Sequence, residues 1–150
     1  MENTRIRVGN AAFSVGDEYQ WLAQCDDDGA VVTFTGKVRN HNLGDGVSAL
    51  SLEHYPGMTE KALEEIVAEA RIRWPVQRAT VIHRVGELFP GDEIVFVGVT
   101  SAHRGHAFEA AQFIMDYLKM RAPFWKREAT EQGTRWVEAR DSDEQAAKRW

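Results

Sequence analysis

The sequence predicts an α+β fold, a mixed and largely antiparallel sheet with helices packed on one side, and three observations predict it. Short runs of alternating apolar and polar residues are separated by turns rich in Gly, Asn and Pro. Two segments, Met58 to Trp74 and the stretch after Gly105, instead place apolar residues at helical spacing. A third, Glu93 to Ser101, is apolar almost throughout, as expected of a central strand. At 150 residues the chain is expected to form one domain, spanning 1–150, with a substantial core.

Taken in order, RIRV at 5–8 reads as a short strand, followed by a loop anchored by Phe13 and Tyr19 and a helical turn over Glu18 to Gln24. Asp26-Asp27-Asp28-Gly29 is a turn; its oxygen spacing does not suit calcium. Ala30 to Arg39 alternates, with Val32, Phe34, Gly36 and Val38 on one face and Thr33, Thr35, Lys37 and Arg39 on the other. NHNLGDGVS reads as a long hairpin loop returning into SALSLEHY, where Leu50 and Leu52 point inward and Pro56-Gly57 ends the strand. The helix from Met58 carries the stripe Leu63, Ile66, Val67, Ala70 and Trp74, and Pro75 closes it.

Ala79 to Leu88 and Glu93 to Ser101 are two more strands around the turn FPGDE, and Gly98 is expected where another group approaches closely. Ala102-His103-Arg104-Gly105 leads into a helix with Phe108, Ala111, Ile114, Met115 and Leu118 inside, widened by Phe113 and Tyr117. TRWVEA at 134–139 is a final strand, and Ser142 with Gln145 suggests a capping box for a short C-terminal helix.

Composition excludes several classes of function. The formal net charge is -5 and the pI about 5.5, which argues against a general nucleic-acid binder. No apolar run approaches a membrane span and the start, MENTRIRV, lacks the apolar segment of a signal peptide, so a cytoplasmic protein is expected. The one cysteine, Cys25, leaves no internal disulfide and no CxxC pair, and its acidic surroundings favour packing over nucleophilic chemistry. Phosphate loops, GxGxxG, GxSxG and HExxH are absent. His103 and His106 have no third ligand at a recognised spacing, so no metal site is expected.

Against that acidic background, Tyr117 to Glu128 (YLKMRAPFWKRE) concentrates Lys119, Arg121, Lys126 and Arg127 among bulky side chains, which implies a small anionic ligand. Lys119 near a helix C-terminus is also where the helix dipole alone would favour a cation, and the whole run could be an exposed basic loop. Pro123, Phe124 and Trp125 would give the site an apolar wall. His103 and Arg104 stand between a central strand and a helix start, where they either bind an anion or cap the helix and tie down the turn. Lys37 and Arg39 share a strand face, either as ordinary solvent-facing residues or as a third basic group.

The blocks TFTGKVRNHN, LEHYPGMTEKALEEI, VIHRVGELFPGDEIVFVGVTSAHR and FIMDYLKMRAPFWKRE resemble the large, catalytic subunits of molybdopterin synthases, from the first strand to the terminal KRW. The resemblance implies an α/β-hammerhead fold and a homodimer at the core of a heterotetramer. A small ubiquitin-like subunit at each end would insert a C-terminal Gly-Gly thiocarboxylate. It implies conversion of cyclic pyranopterin monophosphate to molybdopterin, with sulfur delivered by that partner; since no metal ligand set is visible in the sequence, no bound metal or cofactor is expected. It also implies substrate-binding positions at Lys37, Val38, Arg39, His103, Arg104, Lys119, Lys126, Arg127 and Glu128. His103 and Arg104 would come from the neighbouring protomer. Lys119 is then expected to be the principal catalytic residue, with Lys126 assisting. Rival readings are an RNA or phosphate-ligand module, a purely structural partner of a ubiquitin-like protein, and a hydrolase of a cyclic phosphate.

Overall fold

A computed structural model of the chain describes residues 3–42, 44–137 and 141–150, without the side chains of 45 and 141–144. Among the described residues the elements are β1 (Thr4–Gly9), α1 (Val15–Leu22), β2 (Ala30–Lys37), β3 (His41–Asn42), β4 (Asp45–His54), α2 (Met58–Arg73), β5 (Ala79–Arg84), β6 (Gly86–Leu88), β7 (Glu93–Ser101), α3 (Arg104–Arg121), β8 (Phe124–Thr130), β9 (Gly133–Val137) and α4 (Asp141–Lys148). The predicted α+β class holds, but the strands divide into two sheets. One runs β1-β5-β7-β2, with β1 parallel to β5 and the other pairs antiparallel. The second runs β3-β4-β8-β9, with β6 also paired to β4, and is antiparallel throughout.

The apolar run of β7 has the predicted cause: the strand lies between β5 and β2, and everything from Ile94 to Ser101 is buried. Period-two alternation sends Val81, Val97 and Val99 into the main core with Leu63, Ile66, Val67 and Ala70 of α2 and Phe113, Ile114 and Leu118 of α3. Each of these side chains except Ala70 contributes roughly 1.5–3 kcal/mol through removal from water. The cross-strand pair Ile82 and Phe96 faces the other way and packs with Leu22 of α1, flanked by Phe13 and Trp21. Helices therefore cover both faces of this sheet, not one as expected. Glu18, buried on α1, ties that helix to β1 by accepting from Arg7 at 2.8 Å. A Cβ on Gly98 would sit 2.3 Å from Leu22 Cδ1, the close approach its place in the strand suggested.

Three other expectations change. The Asn- and Gly-rich stretch is not a long loop joining β2 to β4; β3 and β4 form their own tight hairpin, with His41 opposite Gly46. The predicted strand 79–88 breaks at Gly86, whose φ of 87° suits glycine, and the chain passes from the first sheet as β5 into the second as β6. Phe108, assigned to the apolar stripe of α3, is 61% exposed, because Ala107, Ala110 and Ala111 meet the core instead. The final strand is seen to Val137; its last two expected residues, 138–139, and the Ser142 side chain lie outside what is described.

At the end of the chain Trp150 fixes α3 from behind. Its Nε1–H donates to Asp116 Oδ2 at 2.7 Å and its ring stands edge-on to Trp74 at 5.3 Å, while Arg73 donates to its carbonyl oxygen at 2.9 Å. Among the described residues no helix is long and apolar enough to cross a membrane.

Candidate functional site

A cleft of about 680 Å³ opens where the two sheets meet the C-terminal end of α3. Its walls are the end of β2 with Lys37, Val38 and Arg39, the β3–β4 hairpin with Asn42 and Leu50, His83 of β5, Met115, Leu118 and Lys119 of α3, and Phe124, Lys126 and Glu128 of β8. Alternation along β8 explains the last set: Phe124, Lys126 and Glu128 share one face, and Trp125 and Arg127 share the other. The segment Phe124–Arg127, readable from sequence as a basic loop, is thus a strand that sorts its cations. Lys119 reaches the same space from the last turn of α3, where the negative end of the helix dipole favours an ammonium. At the mouth, a register shift between Gly36 and Lys37 interrupts the β2–β7 ladder, and Lys37 and Arg39 both line the cleft while Val38 is 7% exposed. Phe34, expected on the same strand face as Val38, is 44% exposed and lines the cleft as well.

Glu128 is buried, and a carboxylate in such a place needs partners. Arg135 Nε lies 3.2 Å from Glu128 Oε1, and the Asn42 amide donates to the same oxygen at 3.1 Å. Asn42 Oδ1 in turn accepts from Arg39 at 3.5 Å, and Arg135 also donates to the Asn42 carbonyl oxygen at 3.0 Å. A chain of polar contacts therefore runs from the buried carboxylate out to the Arg39 guanidinium. Asn42 and Arg135 were not singled out by the sequence, because one lies in a hairpin and the other on an outer strand with no distinguishing pattern.

His83 was also missed. It lies 4% exposed in the floor of the cleft, stacked on Phe124 with ring centroids 4.1 Å apart, and its Nδ1 is 2.8 Å from the Arg84 carbonyl oxygen. Burial lowers its pKa to about 4; the nearby ammonium groups of Lys126 and Lys119, and His54, act in the same direction, and the contact with Arg84 opposes them only in part. A histidine inside the apolar strand ATVIHR was the available signal.

The structure gathers Lys37, Val38, Arg39, Lys119, Lys126 and Glu128 in this cleft and leaves other predicted residues outside it. Arg121 turns to α2, 2.9 Å from Glu69 and over the Tyr117 ring. Arg127 lies over Trp136 on the opposite face of β8, and Trp125, expected in the wall of the site, packs edge-on against Tyr55 at 4.5 Å. His103 and Arg104 are exposed at the other end of α3, roughly 22 Å from Lys119 along the helix axis at 1.5 Å per residue.

The family model described as MoaE protein matches residues 8–121. A protein of Yersinia pestis named molybdopterin synthase catalytic subunit is 82% identical over 150 residues, covering 100% of this chain and 99% of that protein. The solved structure of a molybdopterin biosynthesis MoaE protein from Burkholderia ambifaria MC40-6 superposes with a TM-score of 0.83 at 49% identity, over 98% of this chain and 97% of that one. A chain in the protein–protein complex of subunits 1 and 2 of molybdopterin-converting factor from Helicobacter pylori 26695 shares the fold, with a TM-score of 0.71 at 21% identity over 91% of each chain.

Proposed function

Because this chain belongs to the MoaE family, we propose that it is the catalytic subunit of a molybdopterin synthase, forming the dithiolene on a cyclic pyranopterin monophosphate with sulfur from a thiocarboxylated, ubiquitin-like partner. The observation that carries this reading is the convergence of Lys37, Arg39, Lys119 and Lys126 on one cleft in a chain whose net charge is -5. A thiocarboxylate and a phosphorylated pterin are both anions; at 4 Å two unit charges repel by about 4 kcal/mol at an effective dielectric constant of 20, and surrounding cations offset that cost. Cys25 is outside the cleft, in keeping with sulfur that enters on the partner.

Position in the cleft supports the following roles. Arg39 and Lys37 at the mouth hold the phosphate, and Val38 gives the ring an apolar surface. Lys119 is the principal catalytic residue, donating and accepting protons as the thiocarboxylate sulfur attacks the pterin and as water then cleaves the acyl–sulfur bond, leaving the sulfur on the pterin and releasing the small subunit as a carboxylate, and Lys126 assists. Glu128 serves by fixing Asn42 and Arg135, and through Asn42 the phosphate-binding Arg39. His103, Arg104 and Arg127 lie away from this cleft; in a homodimer His103 and Arg104 of one protomer reach the cleft of the other. The assembly is completed by a small subunit at each end, as subunits 1 and 2 associate in the Helicobacter pylori complex.

Reconstitution with thiocarboxylated small subunit and cyclic pyranopterin monophosphate tests the reading, with dithiolene as the product followed. Lys119→Ala should leave the protein folded and lower the rate by about 100-fold or more, in the range of a lost proton-transfer group. Wild-type turnover in that variant removes Lys119 from the mechanism, and product release without the small subunit points to a hydrolase.

A further inference from the structure

His83 has no part in the reaction described above, yet it occupies the floor of the cleft with its ring fixed in orientation. The Arg84 carbonyl can only accept, so the proton of the neutral ring sits on Nδ1 and the lone pair is on Nε2. The ring lies on Phe124, two residues before Lys126 on the same face of β8, which places the imidazole beside the lysine. The groups around it are Lys126 from β8, Lys119 from α3 and His54 from β4; burial first, and then all three of these, oppose its protonation, so the ring stays an acceptor among donors.

We propose that His83 is a positioning residue, whose Nε2 accepts a hydrogen bond from the Lys126 ammonium and so aims that side chain at the reacting atoms. The proposal deepens the synthase reading and rests on it for its catalytic consequence. Its geometric content stands without it.

Two measurements test it. In the full chain labelled with ¹⁵N-histidine, Nδ1 of His83 should be protonated and Nε2 bare from pH 5 to 8, and Lys126→Met should shift the Nε2 resonance towards that of a free lone pair while Lys119→Met should not. In the reconstituted synthase, His83→Phe keeps the stack on Phe124 and removes the acceptor. It should lower kcat by about tenfold or more, as expected for a lost hydrogen bond to a charged group, with KM and melting temperature little changed. His83→Gln, whose Oε1 can stand near the position of Nε2, should recover much of that loss. An Nε2 resonance indifferent to Lys126→Met overturns the proposal, as does wild-type turnover in His83→Phe. Equal loss of rate and of melting temperature in both His83 variants also overturns it, because it makes the ring merely structural. If the wild-type chain forms no dithiolene, the synthase reading fails, and the resonance alone decides the contact.

Discussion

Asn42 and Glu128 stand 86 positions apart in the chain and meet through a 3.1 Å hydrogen bond that links the β3–β4 hairpin to the strand bearing Lys126. The asparagine serves two charges at once, donating to the buried carboxylate and accepting from Arg39. Asn42→Ala removes both contacts. It is expected to cost about 1–3 kcal/mol in urea denaturation, since a buried charged acceptor loses a donor. If Arg39 binds the phosphate as proposed, steady-state kinetics should show a raised KM with kcat nearly unchanged, because its guanidinium loses its holder while Lys119 does not. An unchanged KM would detach Arg39 from substrate binding.

The neutral His83 makes stability fall in mild acid. Its folded pKa of about 4 lies below the ordinary 6.5, so as pH drops the unfolded chain takes up a proton the folded chain refuses. This contribution is complete above 6.5 and declines as pH falls through 6.5 towards about 4. Over that interval the loss is about 3 kcal/mol, at about 1.36 kcal/mol per pKa unit. Urea midpoints from pH 7.5 to 4.5 should slope more steeply for the wild type than for His83→Phe; parallel slopes would show that the ring titrates normally.

Mixing two inactive variants tests the dimer. If Arg104 acts across the interface, a Lys119→Ala protomer joined to an Arg104→Ala protomer has one fully intact site. Random mixing of the two proteins should then restore about a quarter of wild-type turnover, half the dimers having one of two sites restored. Activity no higher than the sum of the parents would place Arg104 in its own protomer's site, or in none.

Gly98 separates packing from chemistry. A side chain there enters space held by Leu22 and Phe96, both fully buried. Gly98→Val should lower stability by about 1–3 kcal/mol or more through overpacking, while residual folded protein keeps its kcat. A melting temperature equal to wild type would mean that α1 can move aside.

The sequence made β7 and α2 legible because each has a single period and a single buried environment. It made half the site legible because Lys37, Arg39, Lys119 and Lys126 form charge groups that composition does not explain. What it hid depends on partners remote in the chain. Arg121 and Arg127 look like their basic neighbours until strand alternation and Glu69 turn them away. His83 reads as one polar residue in an apolar strand until Phe124 covers it. The break of 79–88 into strands of two sheets was hidden because it turns at Gly86, within a run of strand-forming residues that conceals it.

That turn has a consequence for the cleft. His83 belongs to the sheet the chain leaves at Gly86, Lys126 belongs to the sheet it joins, and β6 pairs with the same strand, β4, that pairs with β8. Gly86 lies opposite Leu52 and Leu52 opposite Lys126, so the turn that carries the chain between the sheets sits two strands from a cleft lysine. Changes among the lysines alter the charge of the cleft, whereas a side chain at Gly86, strained at a φ of 87°, would disturb the junction between its two walls.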